Sequence, residues 1–76
     1  MAHDPQFLTL SARWIDRLAA QPETGMGYQV VAVILRDGRR FDRAVVEAGV
    51  ITRIDGEGSI PVCDEDIADL VVTHAR

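Results

Sequence analysis

YQVVAVILRDGRRFDRAVVEAGVITRI, residues 28–54, holds two β-rich runs, Tyr28 to Arg36 and Arg39 to Glu47, which meet at Asp37-Gly38. An Asp-Gly pair between apolar runs signals a hairpin, because a type I′ turn needs φ > 0 at both central residues. A second break at Ala48-Gly49 opens a third run, Val50 to Ile54. Three strands joined by tight turns place a β-meander at the centre of the fold. Its register has two solutions. A two-residue loop pairs Ile34 with Phe41 and Val30 with Val45, whereas a three-residue loop with a bulge pairs Leu35 with Phe41 and Val31 with Val45. In the first strand both faces are apolar, with Val30, Ala32 and Ile34 on one and Val31, Val33 and Leu35 on the other. Such a strand belongs inside a closed or covered sheet. The second strand, carrying Arg40, Asp42 and Arg43, is the more exposed of the two.

Upstream of the meander the pattern changes period. Leu10, Trp14 and Leu18 recur every fourth residue, with Ile15 and Ala19 beside them and Arg13, Asp16 and Arg17 mostly off that stripe. This predicts an amphipathic helix over residues 9–21, capped by Ser11 or Thr9, with Trp14 anchoring it to the sheet. Residues 1–8 form a loose lead-in. Pro22 and Gly25-Met26-Gly27 end the helix and connect it to the sheet.

Downstream, Asp55-Gly56-Glu57-Gly58 reads as a turn, and Ser59 to Cys63 as a fourth strand that Pro61 confines to an edge or a bulge. The last segment has two readings. Asp64 can cap a helix with acids in its first turn, but Leu70-Val71-Val72-Thr73 is β-branched and lacks helical spacing. The favoured reading is a helical turn at 64–67 and a final strand at 68–74. The resulting fold is α+β and mainly β: an N-terminal helix followed by a five-stranded, strongly bent antiparallel sheet or SH3-like small barrel. Its expected core is Trp14, Leu18, Val31, Val33, Leu35, Phe41, Val45, Ile51, Ile54, Ile60, Leu70 and Val72.

Size and charge narrow the function classes. The 76 residues make a single domain over 1–76, and so small a chain buries only about 60–65% of its extended surface. Self-pairing as a homodimer is one way to add stability. A single cysteine, Cys63, forbids an internal disulfide and suits a reducing compartment. No apolar run reaches the roughly 20 residues of a membrane span, and MAHDPQF lacks the features of a signal peptide. These features predict a cytoplasmic protein. The net charge of −4 argues against a general nucleic-acid binder.

The candidate chemistry is sparse. Gly25-Met26-Gly27 follows a helix, whereas phosphate-binding loops precede one. His3, Cys63 and His74 lack the paired spacing of a zinc site, so no metal or other cofactor is expected. Cys63 precedes three acids, which would raise rather than lower a thiol pKa, and it is read as a half-buried structural residue. The acids from Asp55 to Asp69 lack EF-hand spacing. No nucleophile–base pair stands out, and the protein is read as a non-enzyme. What remains is the group Arg36, Arg39, Arg40 and Arg43, an interaction surface if its side chains converge and a solvated set of Arg–Asp pairs otherwise. Every basic side chain in the chain is arginine.

The helix at 11–20 leading into Val31, Val33, Leu35, Asp37, Gly38, Arg39 and Phe41 resembles the SH3-like small β-barrels, and most closely the first motif of the Sm-like RNA-binding family. That family usually has a glycine permitting a bend in the second strand, and Asp42 to Val45 contains none. Its second motif, an Arg-Gly or Lys-Gly step before the final strand, has no counterpart in IADLVVTH. The chain is also similar to small bacterial proteins with GMGYQ-V, a D-G-R hairpin and an acidic D-I-A-D segment, a likeness that brings no assigned activity. The leading expectation is a non-catalytic small interaction module that binds protein, itself included as a homodimer. The alternative is an Sm-like RNA binder using Arg36, Arg39, Arg40 and Arg43.

Overall fold

A computed structural model describes residues 6–75. The elements are β1 (Leu8–Thr9), α1 (Ala12–Ala19), β2 (Tyr28–Leu35), β3 (Arg40–Glu47), β4 (Val50–Ile54), a 3₁₀ turn (Asp64–Asp66) and β5 (Ile67–Val72). The five strands form one antiparallel sheet in the order β1-β4-β3-β2-β5. This is the expected α+β architecture, one helix on a curled, half-barrel sheet. No described helix is long and apolar enough to cross a membrane.

Irregular pairings mark three strands, and they explain the curl. Val33 pairs with Phe41 but Val31 with Ala44, so Asp42 and Arg43 together oppose Ala32. Thr52 is extra in β4, between the pairs Val46–Ile51 and Val45–Arg53. Ala68 is extra in β5, between Leu35–Ile67 and Ile34–Asp69. Each bulge bends its strand and shifts which residues face inward. The inward set therefore steps by three at each one: Phe41 to Ala44, Ile51 to Ile54, Ile67 to Leu70.

That step corrects the expected core and register. Val45 was expected inside beside Phe41, but the bulge turns it outward and places Ala44 and Val46 inside. Leu10, Ala32, Val62 and Ile67 are buried as well, while Phe41 and Val72 are only partly covered. Neither expected hairpin register holds along the whole pair. Val30 pairs with Val45 as in the two-residue solution, but near the turn Val33 pairs with Phe41 and Ile34 with Arg40. The loop there is Arg36-Asp37-Gly38. Leu35 N–H donates to Arg39 O at 2.8 Å, Gly38 N–H donates to Leu35 O at 3.0 Å, and Gly38 alone of the three has positive φ, +95°. The turn with positive φ at both central residues is instead Ala48 (+51°) and Gly49 (+76°).

Other boundaries move for equally local reasons. The helix occupies Ala12–Ala19 rather than 9–21: Leu8–Thr9, spanning the end of the expected lead-in and the first residue of the expected helix, pairs with β4 as an edge strand. The first part of that lead-in, residues 1–5, lies outside the described residues. Ser59–Cys63 is no strand: it crosses from β4 towards β5, with Ile60 and Val62 turned into the core. The final strand returns beside β2, so residues 28–74 are a three-stranded meander plus a returning strand.

A helix of eight residues is too short to persist on propensity alone. Burial of Trp14 and Leu18, and of Leu10 just ahead of it, holds it in place. The Ser11 N–H donates to Asp64 Oδ1 at 2.9 Å, across the chain from the 3₁₀ turn. At the other end, Gln29 Nε2 lies 2.9 to 3.3 Å from the carbonyl oxygens of Leu18, Gln21 and Pro22, tying β2 to the chain that leaves the helix.

Candidate protein-binding surface

The four hairpin arginines do not converge. Arg39 Nε donates to Asp37 Oδ2 at 2.8 Å, and Arg40 Nε to Asp42 Oδ1 at 2.8 Å. Arg43 Nη1 lies 3.6 Å from Asp55 Oδ2. Arg36 stands apart, beside the shallow hollow formed with Ser11, Arg13, Asp64 and Glu65. The sequence explains the pairing, since alternate residues of a strand share a face and Arg40 and Asp42 are alternate. Asp37 also accepts the Arg39 backbone N–H at 3.0 Å. That bond, and then the guanidinium of the same residue, hold the Asp37 carboxyl below its ordinary range.

A second opening lies at the other end of the β2–β3 pair from the hairpin tip. A cleft of about 540 Å³ runs between α1 and the Ala48-Gly49 turn, and Ile15, Ala19, Pro22, Tyr28 and Ala48 line it. Both walls follow from local sequence. Ile15 is on the helix face next to the Trp14–Leu18 stripe, and it lies over Gly49, where a Cβ would meet Ile15 Cδ1 at 2.9 Å. Tyr28 is held where the chain doubles back: Tyr28 O accepts from the Thr24 and Gly25 N–H groups, and the phenol ring covers Gly25. Gly25-Met26-Gly27 is thus a tight connector, closed further by the Gly27 N–H bonding to Glu23 Oε2 at 2.9 Å. Ile15 is 43% exposed and Tyr28 39%, so two large side chains with apolar bodies meet solvent at this opening.

The remaining candidates are scattered. Cys63 was expected half-buried but is exposed, because the burial alternation of its segment ends at Val62. His74 is exposed, with Nδ1 2.8 Å from Thr73 Oγ1; His3 lies outside the described residues. Among the described residues, no three His, Cys, Asp or Glu side chains gather as metal ligands. Neither Ile15 nor Tyr28 stands out in the sequence as a surface residue. A helix stripe broader than its buried part, and a tyrosine immediately after Gly-Met-Gly, are the signals that could have marked them.

The chain matches no family model, no curated protein and no solved structure.

Proposed function

We propose that this is a non-catalytic interaction module that binds protein through the cleft between α1 and the Ala48-Gly49 turn. One observation carries the reading: the exposed side chains of Ile15 and Tyr28 line one opening, while Arg39 and Arg40 at the hairpin are each bonded to a neighbouring aspartate at 2.8 Å. Apolar and aromatic side chains are the usual anchors of protein interfaces. Arginines already bonded to carboxylates are poorly placed to replace counterions along a phosphate backbone, which weakens the RNA-binding alternative.

The test is affinity capture from a lysate of the protein's own source, washed at low and high salt, comparing the native chain with Ile15→Glu. Ile15 is exposed enough for the substitution to leave the fold intact, which circular dichroism checks. A stoichiometric protein that survives nuclease and high salt, and is lost with Ile15→Glu, supports the reading. RNA recovered at low salt, and lost with Arg39→Glu and Arg40→Glu, overturns it.

A further inference from the structure

A second surface lies on the outer face of the sheet, away from the α1 cleft, and it collects cations. The bulge in β3 sets it up. Arg43 has a φ of +58°, a region that a side chain other than glycine adopts at a cost. Bulges of this kind re-aim side chains, and here the guanidinium is turned toward the neighbouring strand. Arg53 of β4 is opposite Val45 in the ladder. His74 follows β5 and is brought in by Thr73, whose N–H donates to Val30 O at 3.1 Å. Val30, Arg43, Val45, Arg53, Asp55 and His74 together enclose a hollow of about 290 Å³.

The charges in this hollow do not cancel. Its one carboxylate, Asp55, lies 3.6 Å from Arg43, looser than the 2.8 Å pairs at the hairpin tip. Arg53 forms no ion pair among the described residues. An excess of cation, in a chain of net charge −4, lies beside two half-buried valines that pair across β2 and β3. From Val30 and Val45 the surface continues as a second hollow toward Tyr28, Glu47 and Thr52. An elongated trough with an apolar floor and a cationic end matches a peptide chain better than a lone ion. Glu47 at the far end, and the overall negative charge, disfavour a polyphosphate backbone running its length.

We propose that this trough binds an acidic, aliphatic peptide segment, one carboxylate lying between Arg43 and Arg53 and the adjacent apolar side chain resting on Val30 and Val45. Arginine is suited to the role because its planar fork grips a carboxylate with two donors. The cationic end of the trough shares no lining residue with the α1 cleft, whereas Tyr28 at its far end lines both.

The test is a titration of the ¹⁵N-labelled full chain, followed by amide chemical shifts, with a blocked hexapeptide of alternating leucine and glutamate. The same peptide with glutamine in place of glutamate, and an oligouridylate, are run in parallel. The glutamate peptide is expected to shift Val30, Val45, Arg53 and His74, with binding about tenfold weaker in Arg53→Ala and unchanged in Arg39→Ala. The spectrum of each variant reports directly whether it has folded. Equal binding of the glutamine peptide, shifts confined to other residues, tighter binding of oligouridylate at these residues, or no shift at millimolar peptide would each overturn the proposal.

Discussion

The side-chain amide of Gln21 lies against the outer edge of β5, its Oε1 accepting from the Val72 N–H at 2.8 Å while Nε2 donates to Leu70 O at 3.0 Å. Gln21 thus supplies one donor and one acceptor where a neighbouring strand would supply them. The Leu70 N–H, at the same edge, is taken by Asp69 Oδ1 at 2.8 Å. An edge strand with free backbone groups is a template for pairing with another chain, and here a residue just beyond the helix closes it.

Gln21→Ala should open that edge. Two partly buried backbone groups lose their partners, which predicts a loss of about 1–2 kcal/mol and stronger self-association than in the native chain. Chemical denaturation and sedimentation at several concentrations measure both. If stability and sedimentation are both unchanged, Gln21 does not guard the edge.

The Ala48-Gly49 turn carries a correctable strain. Ala48 has a φ of +51°, a conformation suited to asparagine or glycine. Ala48→Asn should stabilise the protein by about 0.5–1 kcal/mol, read as a higher thermal midpoint. Gly49→Ala should destabilise it by about 1–2 kcal/mol, since φ is +76° and the added Cβ meets Ile15 Cδ1 at 2.9 Å. A midpoint lowered by Ala48→Asn would contradict this account of the turn.

The helix stripe, the Asp37-Gly38 hairpin and the doubly apolar first strand were legible in the sequence because each is a local pattern. What the sequence hid were the bulges. A strict two-residue period puts Ile51 and Ile54 on opposite faces, and Phe41 with Val45 on the same one. Spacings of three, as in Ile67 to Leu70, suggest a helix as readily as a bulged strand, which is why residues 64–74 had two readings. The Sm-like pattern pointed to a missing glycine between Asp42 and Val45, and in that interval Arg43 adopts the left-handed conformation itself. Surface relations were less legible still. That Arg53 and His74 flank Arg43 depends on strand order and on the return of β5 to β2, neither of which a local pattern encodes.

Trp14 gives a test of core chemistry. It is 7% exposed, and its indole Nε1 is buried with no hydrogen-bond partner among the described residues. The ring also carries Arg13, whose Cζ lies 4.7 Å from its centroid, a cation–π contact. An unpaired buried N–H contributes nothing that phenylalanine would lose. Trp14→Phe should therefore cost less than about 1.5 kcal/mol, against about 3–5 kcal/mol for Trp14→Ala. A loss in Trp14→Phe well above about 1.5 kcal/mol would mean that the indole N–H does find a partner in solution.

Acid sensitivity should centre on two aspartates. Asp69 is held below its ordinary range chiefly by the side-chain hydrogen bond from Arg17, whose Nε lies 3.0 Å from Oδ1, and Asp37 chiefly by the Arg39 backbone N–H. A carboxyl depressed in the folded state binds fewer protons than in the unfolded chain. Its contribution is complete above the unfolded aspartate value of about 3.9 and is lost as pH falls below it. Stability measured by urea denaturation should therefore hold from neutrality to about pH 5 and decline through pH 4 and below. The Arg17–Asp69 pair is 44% and 38% exposed, so solvent keeps its share of the decline modest. Asp69→Asn retains an acceptor for the Leu70 N–H but removes the charge. It should lower stability at neutral pH and flatten the acid limb, and 1 M salt should narrow the gap to the native chain. An acid limb of unchanged slope in both Asp69→Asn and Asp37→Asn would place the titrating groups elsewhere.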